Sequence, residues 1–83
     1  MNKALVNVYV PILNRSYDVF IPIQSQLFEI TELVKKAIFE LSDGRFLPSR
    51  DTVLALKKSG KILDLNSTVF DSEIGNGTKL MLI

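Results

Sequence analysis

Valines at positions 6, 8 and 10 alternate with Asn7 and Tyr9, a period of two that marks a half-buried strand. Ala4 and Ile12 continue its apolar face at either end. Pro11 then removes a backbone donor, and the polar turn residues Asn14 and Ser16 follow. A second alternation runs through "YDVFI", with Tyr17, Val19 and Ile21 on one side and Asp18 and Phe20 on the other. Two such runs around a short loop predict a hairpin. Pro22 closes the second strand and suits a sheet edge, where a missing N–H is tolerated.

From Leu27 the period changes. Leu27, Ile30, Leu33, Val34, Ala37, Ile38 and Leu41 follow the i, i+3, i+4, i+7 rule of one helical face. Glu29, Glu32, Lys35, Lys36 and Glu40 take the other side, with Glu32 and Lys36 spaced for an i, i+4 ion pair. Ser25 is the expected N-cap, and Gly44 in "SDG" the expected left-handed stop. Phe28 and Phe39 fall off the main stripe.

Beyond the helix, "RFLPSRD" reads as a loop around Pro48, and "TVLALKK" as a third strand with Leu54 and Leu56 inward and Lys57 outward. A tight turn at "KSGK" leads into a short strand, "ILDL". In the turn-rich "NSTVFDSEIGNG", Val69 and Ile74 are the expected core anchors. The closing strand "TKLMLI" puts Leu80 and Leu82 inward and Lys79, Met81 and Ile83 outward.

A helix with one apolar stripe must cover one face of a sheet. The last strand, reached by a long crossover, is expected beside the first and parallel to it. The predicted class is therefore α+β, a β-grasp with a mixed sheet of four to five strands on one main helix. Residues 1–83 are expected to form a single domain, as a chain this short carries one core.

Composition narrows the chemistry. There is no cysteine and no histidine, so disulfides, thiolate metal sites, and the usual general base and strongest nucleophile are missing. Asp71 and Glu73 are the nearest approach to paired carboxylates, and their polar surroundings read as a solvated turn. The "GNG" at residues 75–77 precedes a strand instead of a helix and reads as a turn, not a phosphate cradle. No catalytic residue, cofactor site or metal site is expected. Ten basic and nine acidic residues leave the chain near neutrality, which argues against a general nucleic-acid surface. The apolar runs are too short to span a membrane, and the amino-terminal stretch reads as a strand rather than a signal peptide. A cytoplasmic protein is expected.

The residues resemble the ubiquitin-like superfamily over essentially the whole chain. Ser59-Gly60-Lys61 sits where ubiquitin has an Ala-Gly-Lys turn, and "STVFDSEIGNGTKL" is similar to the segment leading into ubiquitin's last strand. Lys57 falls where ubiquitin carries the central isoleucine of its partner-binding patch. Ubiquitin-like modifiers and sulfur carriers act through a Gly-Gly tail. This sequence stops at Ile83 within the expected strand, so conjugation is not expected.

Within the superfamily the chain resembles the small bacterial YukD/EsaB group, linked to type VII secretion in Gram-positive bacteria. The likeness lies in the "V-x-V-x-V" opening, "YDVFIP", "ITELVKKAIFEL" and "IGNGTKLMLI". It implies a non-enzymatic accessory or regulatory role through protein contacts, with membrane components of the secretion machine among the partners and no membrane insertion of its own. A general ubiquitin-like adaptor unrelated to secretion is the alternative, followed by a covalent modifier or sulfur carrier. The residues expected to meet a partner are Tyr9, Phe20, Met81 and Ile83, outward on the sheet, with Lys57 beside them. Lys57, Lys58 and Lys61 cluster at one turn and read most simply as a solvated edge blocker.

Overall fold

The computed structural model describes residues 2–83 and contains four strands and one α-helix. Strand β1 (Lys3–Val10) and strand β2 (Arg15–Pro22) form the expected hairpin, in register from Lys3 opposite Pro22 to Val10 opposite Arg15. Helix α1 spans Leu27–Leu41, β3 is Leu54–Leu56, and β4 is Lys79–Leu82. The sheet order is β2-β1-β4-β3, with β4 parallel to β1 and antiparallel to β3. This is the predicted β-grasp, with β2 and β3 as its edges.

Core placement follows the alternation. Ala4, Val6, Val8 and Val10 from β1, Val19 and Ile21 from β2, and Leu80 and Leu82 from β4 are buried with Leu27, Ile30, Val34 and Ile38 of α1. Each of these valines, leucines and isoleucines contributes about 1.5–3 kcal/mol on leaving water. Val69 and Ile74 are buried as expected, closing the core from the long connection.

Several local expectations are corrected. Ile12 is 82% exposed, because Pro11–Leu13 turns into a 3-10 segment and the period-two pattern ends at Val10. Asn14 completes that turn in the left-handed region (φ 51°), its N–H donating to Pro11 O at 3.0 Å. "ILDL" is not a strand; its pairing reduces to a single bridge between Ile62 and Ala55, since Asp64 turns back on Asn66 and Ser67. Ser25 does not cap the helix. Gln26 stands at that position, its N–H donating to Glu29 Oε1 at 3.3 Å, while the Ser25 carbonyl accepts from the Val69 N–H.

On the helix surface Glu32 pairs with Lys35 (3.0 Å), not with Lys36. Leu33 and Leu41 are exposed, because the seven-residue stripe is wider than the helix's contact with the sheet, and Leu41 is the last helical residue. Thr31 takes a core position instead, its hydroxyl donating to Leu27 O at 2.8 Å. The helix stops as expected: Gly44 is left-handed (φ 78°) and its N–H donates to Phe39 O at 2.9 Å.

Candidate interaction surface

α1 packs on one side of the sheet; on the opposite side, where Ala55 of β3 is nonetheless fully buried, strand register fixes the residues in rows. One row runs Ser16, Tyr9, Met81, Ala55 across the four strands. The next runs Asp18, Asn7, Lys79. Its β3 end is extended by Lys57, whose N–H donates to Lys79 O at 3.1 Å. A third pairs Phe20 with Leu5.

Tyr9 and Met81 are thus direct cross-strand neighbours, as the expected parallel pairing of the first and last strands requires. Lys57 joins them: its ammonium lies 4.5 Å from the centroid of the Tyr9 ring, within cation–π range. The Tyr9 hydroxyl donates to Asn14 Oδ1 at 2.9 Å, which ties the ring to the β1–β2 turn. Ile83 borders this group through paired backbone hydrogen bonds with Val53, 2.9 and 2.8 Å long. Met81 is half-buried and Ile83 exposed.

Phe20 is not part of that group. It is 55% exposed beside Leu5, and the polar row separates the two apolar areas. Asn7 Nδ2 donates to Asp18 Oδ1 at 3.1 Å within that row. Leu5 and Tyr9 are four positions apart along β1, about 13 Å of extended chain. The outer face therefore carries two apolar areas instead of one continuous patch. The alternation revealed which residues face outward, but only the register reveals which of them touch.

The remaining candidates resolve into local structure. Asp71 Oδ2 accepts from the Thr68 hydroxyl at 3.0 Å, and Thr68 Oγ1 accepts from the Asp71 N–H at 3.1 Å. "GNG" does form a turn, and it also takes part in the sheet: Leu5 N–H donates to Asn76 Oδ1, and Gly77 N–H to Leu5 O, both at 2.8 Å. Phe28 and Phe39 lie partly exposed on the helix flank. Among the described residues, no group of three His, Cys, Asp or Glu side chains could hold a metal ion, and no helix is long and apolar enough to cross a membrane.

No protein-family model matches the sequence, and no curated protein does either. Solved structures do resemble the fold. The ubiquitin-like domain of the Mycobacterium tuberculosis type VII secretion system protein ECCD1 superposes with a TM-score of 0.79 at 16% identity, over 100% of this chain and 99% of that one. A chain of the MycP5-free ESX-5 inner membrane complex gives 0.72 at 13% identity, over 100% of this chain but only 21% of that one. A chain of the toluene 4-monooxygenase HD complex gives 0.75 at 11% identity, over 96% and 95%. The fold is ubiquitin-like. At these identities the likeness extends to architecture alone, and the neighbours' differing settings illustrate how little a shared fold fixes about function.

Proposed function

We propose that this chain is a ubiquitin-like protein of the YukD/EsaB type, serving a bacterial type VII secretion system as a non-enzymatic accessory or regulatory component. It acts in the cytoplasm as one domain, through non-covalent contacts made by the Tyr9–Met81 half of the outer sheet face. The observation that carries this reading is the assembled group itself. An aromatic ring, a thioether and a cation meet on the sheet face opposite the helix. Tyrosine and methionine both suit protein contacts, the first for its broad apolar body with a polar tip, the second for its adaptability.

The secretion setting is supported by the YukD/EsaB sequence likeness and by the full-length fold likeness to the ECCD1 domain. A non-catalytic role is supported by the sequence, which has neither histidine nor cysteine. An apolar-aromatic surface supports docking through non-covalent contacts.

The test is recovery of partners from the native host with tagged protein. Tyr9→Ala and Met81→Glu are expected to lose those partners while keeping the wild-type circular dichroism spectrum, and Phe20→Ala to keep them. Normal recovery by both of the first two variants would show that this half of the face is not the docking surface. Denaturing washes are expected to strip every partner. One that survives them would signal a covalent modifier. Gene neighbourhood separates the two readings: secretion genes found beside this one would favour the secretion role, and their absence a general adaptor.

A further inference from the structure

The polar row on the outer face holds an arrangement that works against stability. Lys57, the first residue of the turn after β3, stands opposite Lys79 of β4 by continuation of the β3–β4 register, its N–H donating to Lys79 O. Like charges at directly opposed cross-strand positions are destabilising. Both side chains are exposed, and neither meets a carboxylate: among the described residues the one ion pair is Lys35 with Glu32, on the helix. Lys57 instead bends away over the Tyr9 ring.

Two further lysines adjoin them. Lys58 and Lys61 lie in the turn that β3 enters, and with Lys79 they line one open concavity of about 620 Å³. Glu73 is the carboxylate on its wall, and it forms no ion pair with any of the three. Edge protection explains a lysine at the turn, but not Lys79, which lies on a strand paired on both sides. Lys61 also faces Asp64 and Asp71 across a second concavity, and Asp18 stands two strands from Lys79, so the positive charge that lacks an adjacent carboxylate is that of Lys57 and Lys79, beside the Tyr9–Met81 pair.

We infer that this surface receives an acidic segment of a partner protein, whose carboxylates bridge Lys57 and Lys79 and reach Lys58, while an adjoining apolar side chain rests on Tyr9 and Met81. Bridging carboxylates remove the repulsion between the opposed lysines. They also draw the Lys57 ammonium off the Tyr9 ring, which uncovers the ring for the apolar contact. The inference rests on the docking role proposed for this face and adds the chemistry of its occupant.

Three short synthetic peptides test it against the isotope-labelled full chain by NMR titration: one leucine between runs of glutamate, the same leucine between runs of lysine, and serine between runs of glutamate. The glutamate–leucine peptide is expected to shift the amide signals of Lys57, Lys79, Tyr9 and Met81, and to bind more tightly than the other two. Its affinity is expected to fall as ionic strength rises from about 0.05 to about 0.5 M, where screening shortens the reach of exposed charges. Lys79→Gln is expected to weaken it roughly two- to fivefold, the range of an exposed ion pair. That variant should also unfold at a temperature equal to or above wild type, so a folding defect cannot mimic the loss.

Equal binding of the lysine–leucine peptide at Tyr9 and Met81 would overturn the acidic occupant and leave the docking face standing. Equal binding of both glutamate peptides without shifts at Tyr9 or Met81 would overturn the docking reading itself. No shift from the glutamate–leucine peptide at millimolar concentration would overturn the inference as stated.

Discussion

Phe46 and Leu47 are adjacent, similarly apolar, and treated oppositely by the fold. Phe46 is buried, its N–H donating to the Ser42 hydroxyl at 3.0 Å, while Leu47 is 75% exposed. Pattern alone cannot separate them, because a loop has no period to say which side chain points inward. The same holds for Phe70, 75% exposed next to the buried Val69. Phe46→Ala is expected to cost about 3–5 kcal/mol, as for other buried aromatics. Leu47→Ala should change stability by no more than about 0.5 kcal/mol, the range of ordinary surface substitutions. Urea denaturation of both variants checks the contrast, and similar midpoints would mean that Phe46 does not anchor the core. Thr31 and Ser42 were equally illegible: each is buried only because a helix carbonyl accepts its hydroxyl, a partner that hydropathy does not register.

Strands β1, β2 and β4 and helix α1 were legible because each repeats its pattern for several residues, and repetition outweighs single exceptions. The misread segment, "ILDL", is too short to establish a period. How β4 is held against β1 was also hidden, since it depends on the turn before β4 and not on the strand's own alternation. There the Asn76 side chain takes the place of a backbone acceptor for Leu5 N–H, and Gly77 sits at φ 83° so that its own N–H meets Leu5 O. Asn76→Ala should cost about 0.5–1.5 kcal/mol, the net worth of one hydrogen bond whose exposed Leu5 N–H water can then meet. Gly77→Ala should cost about 1–2 kcal/mol, the penalty of a side chain in left-handed backbone. Nothing lies within 4 Å of a Cβ at Gly77, so that cost comes from conformation and not from a clash. Hydrogen exchange is the sensitive readout: in both variants the amides of β4 should lose protection before those of the β1–β2 hairpin. Uniform loss across the sheet would contradict a local role for this turn.

For the whole molecule, the helix takes one side of the sheet and leaves the other to face partners, and the two sides are built differently. Valine, leucine and isoleucine fill the covered side; Tyr9, Met81, Lys57 and Lys79 mark the open one. The sequence disclosed this division of faces, and it disclosed Tyr9 and Met81 as neighbours once the strand order was inferred. It did not disclose the polar row that sets Phe20 apart, because that row arises from the hairpin register, nor the opposition of Lys57 and Lys79, which lie 22 positions apart in the chain. The central claim is that one half of the open face docks a protein without a covalent link. Site-specific photocrosslinking in the native host tests it most directly, with a photoreactive residue placed in turn at position 9, 20 or 12. Position 9 is expected to yield light-dependent adducts that contain a secretion component, with positions 20 and 12 silent. Equal adducts from all three positions, or adducts that form without light, would contradict the account.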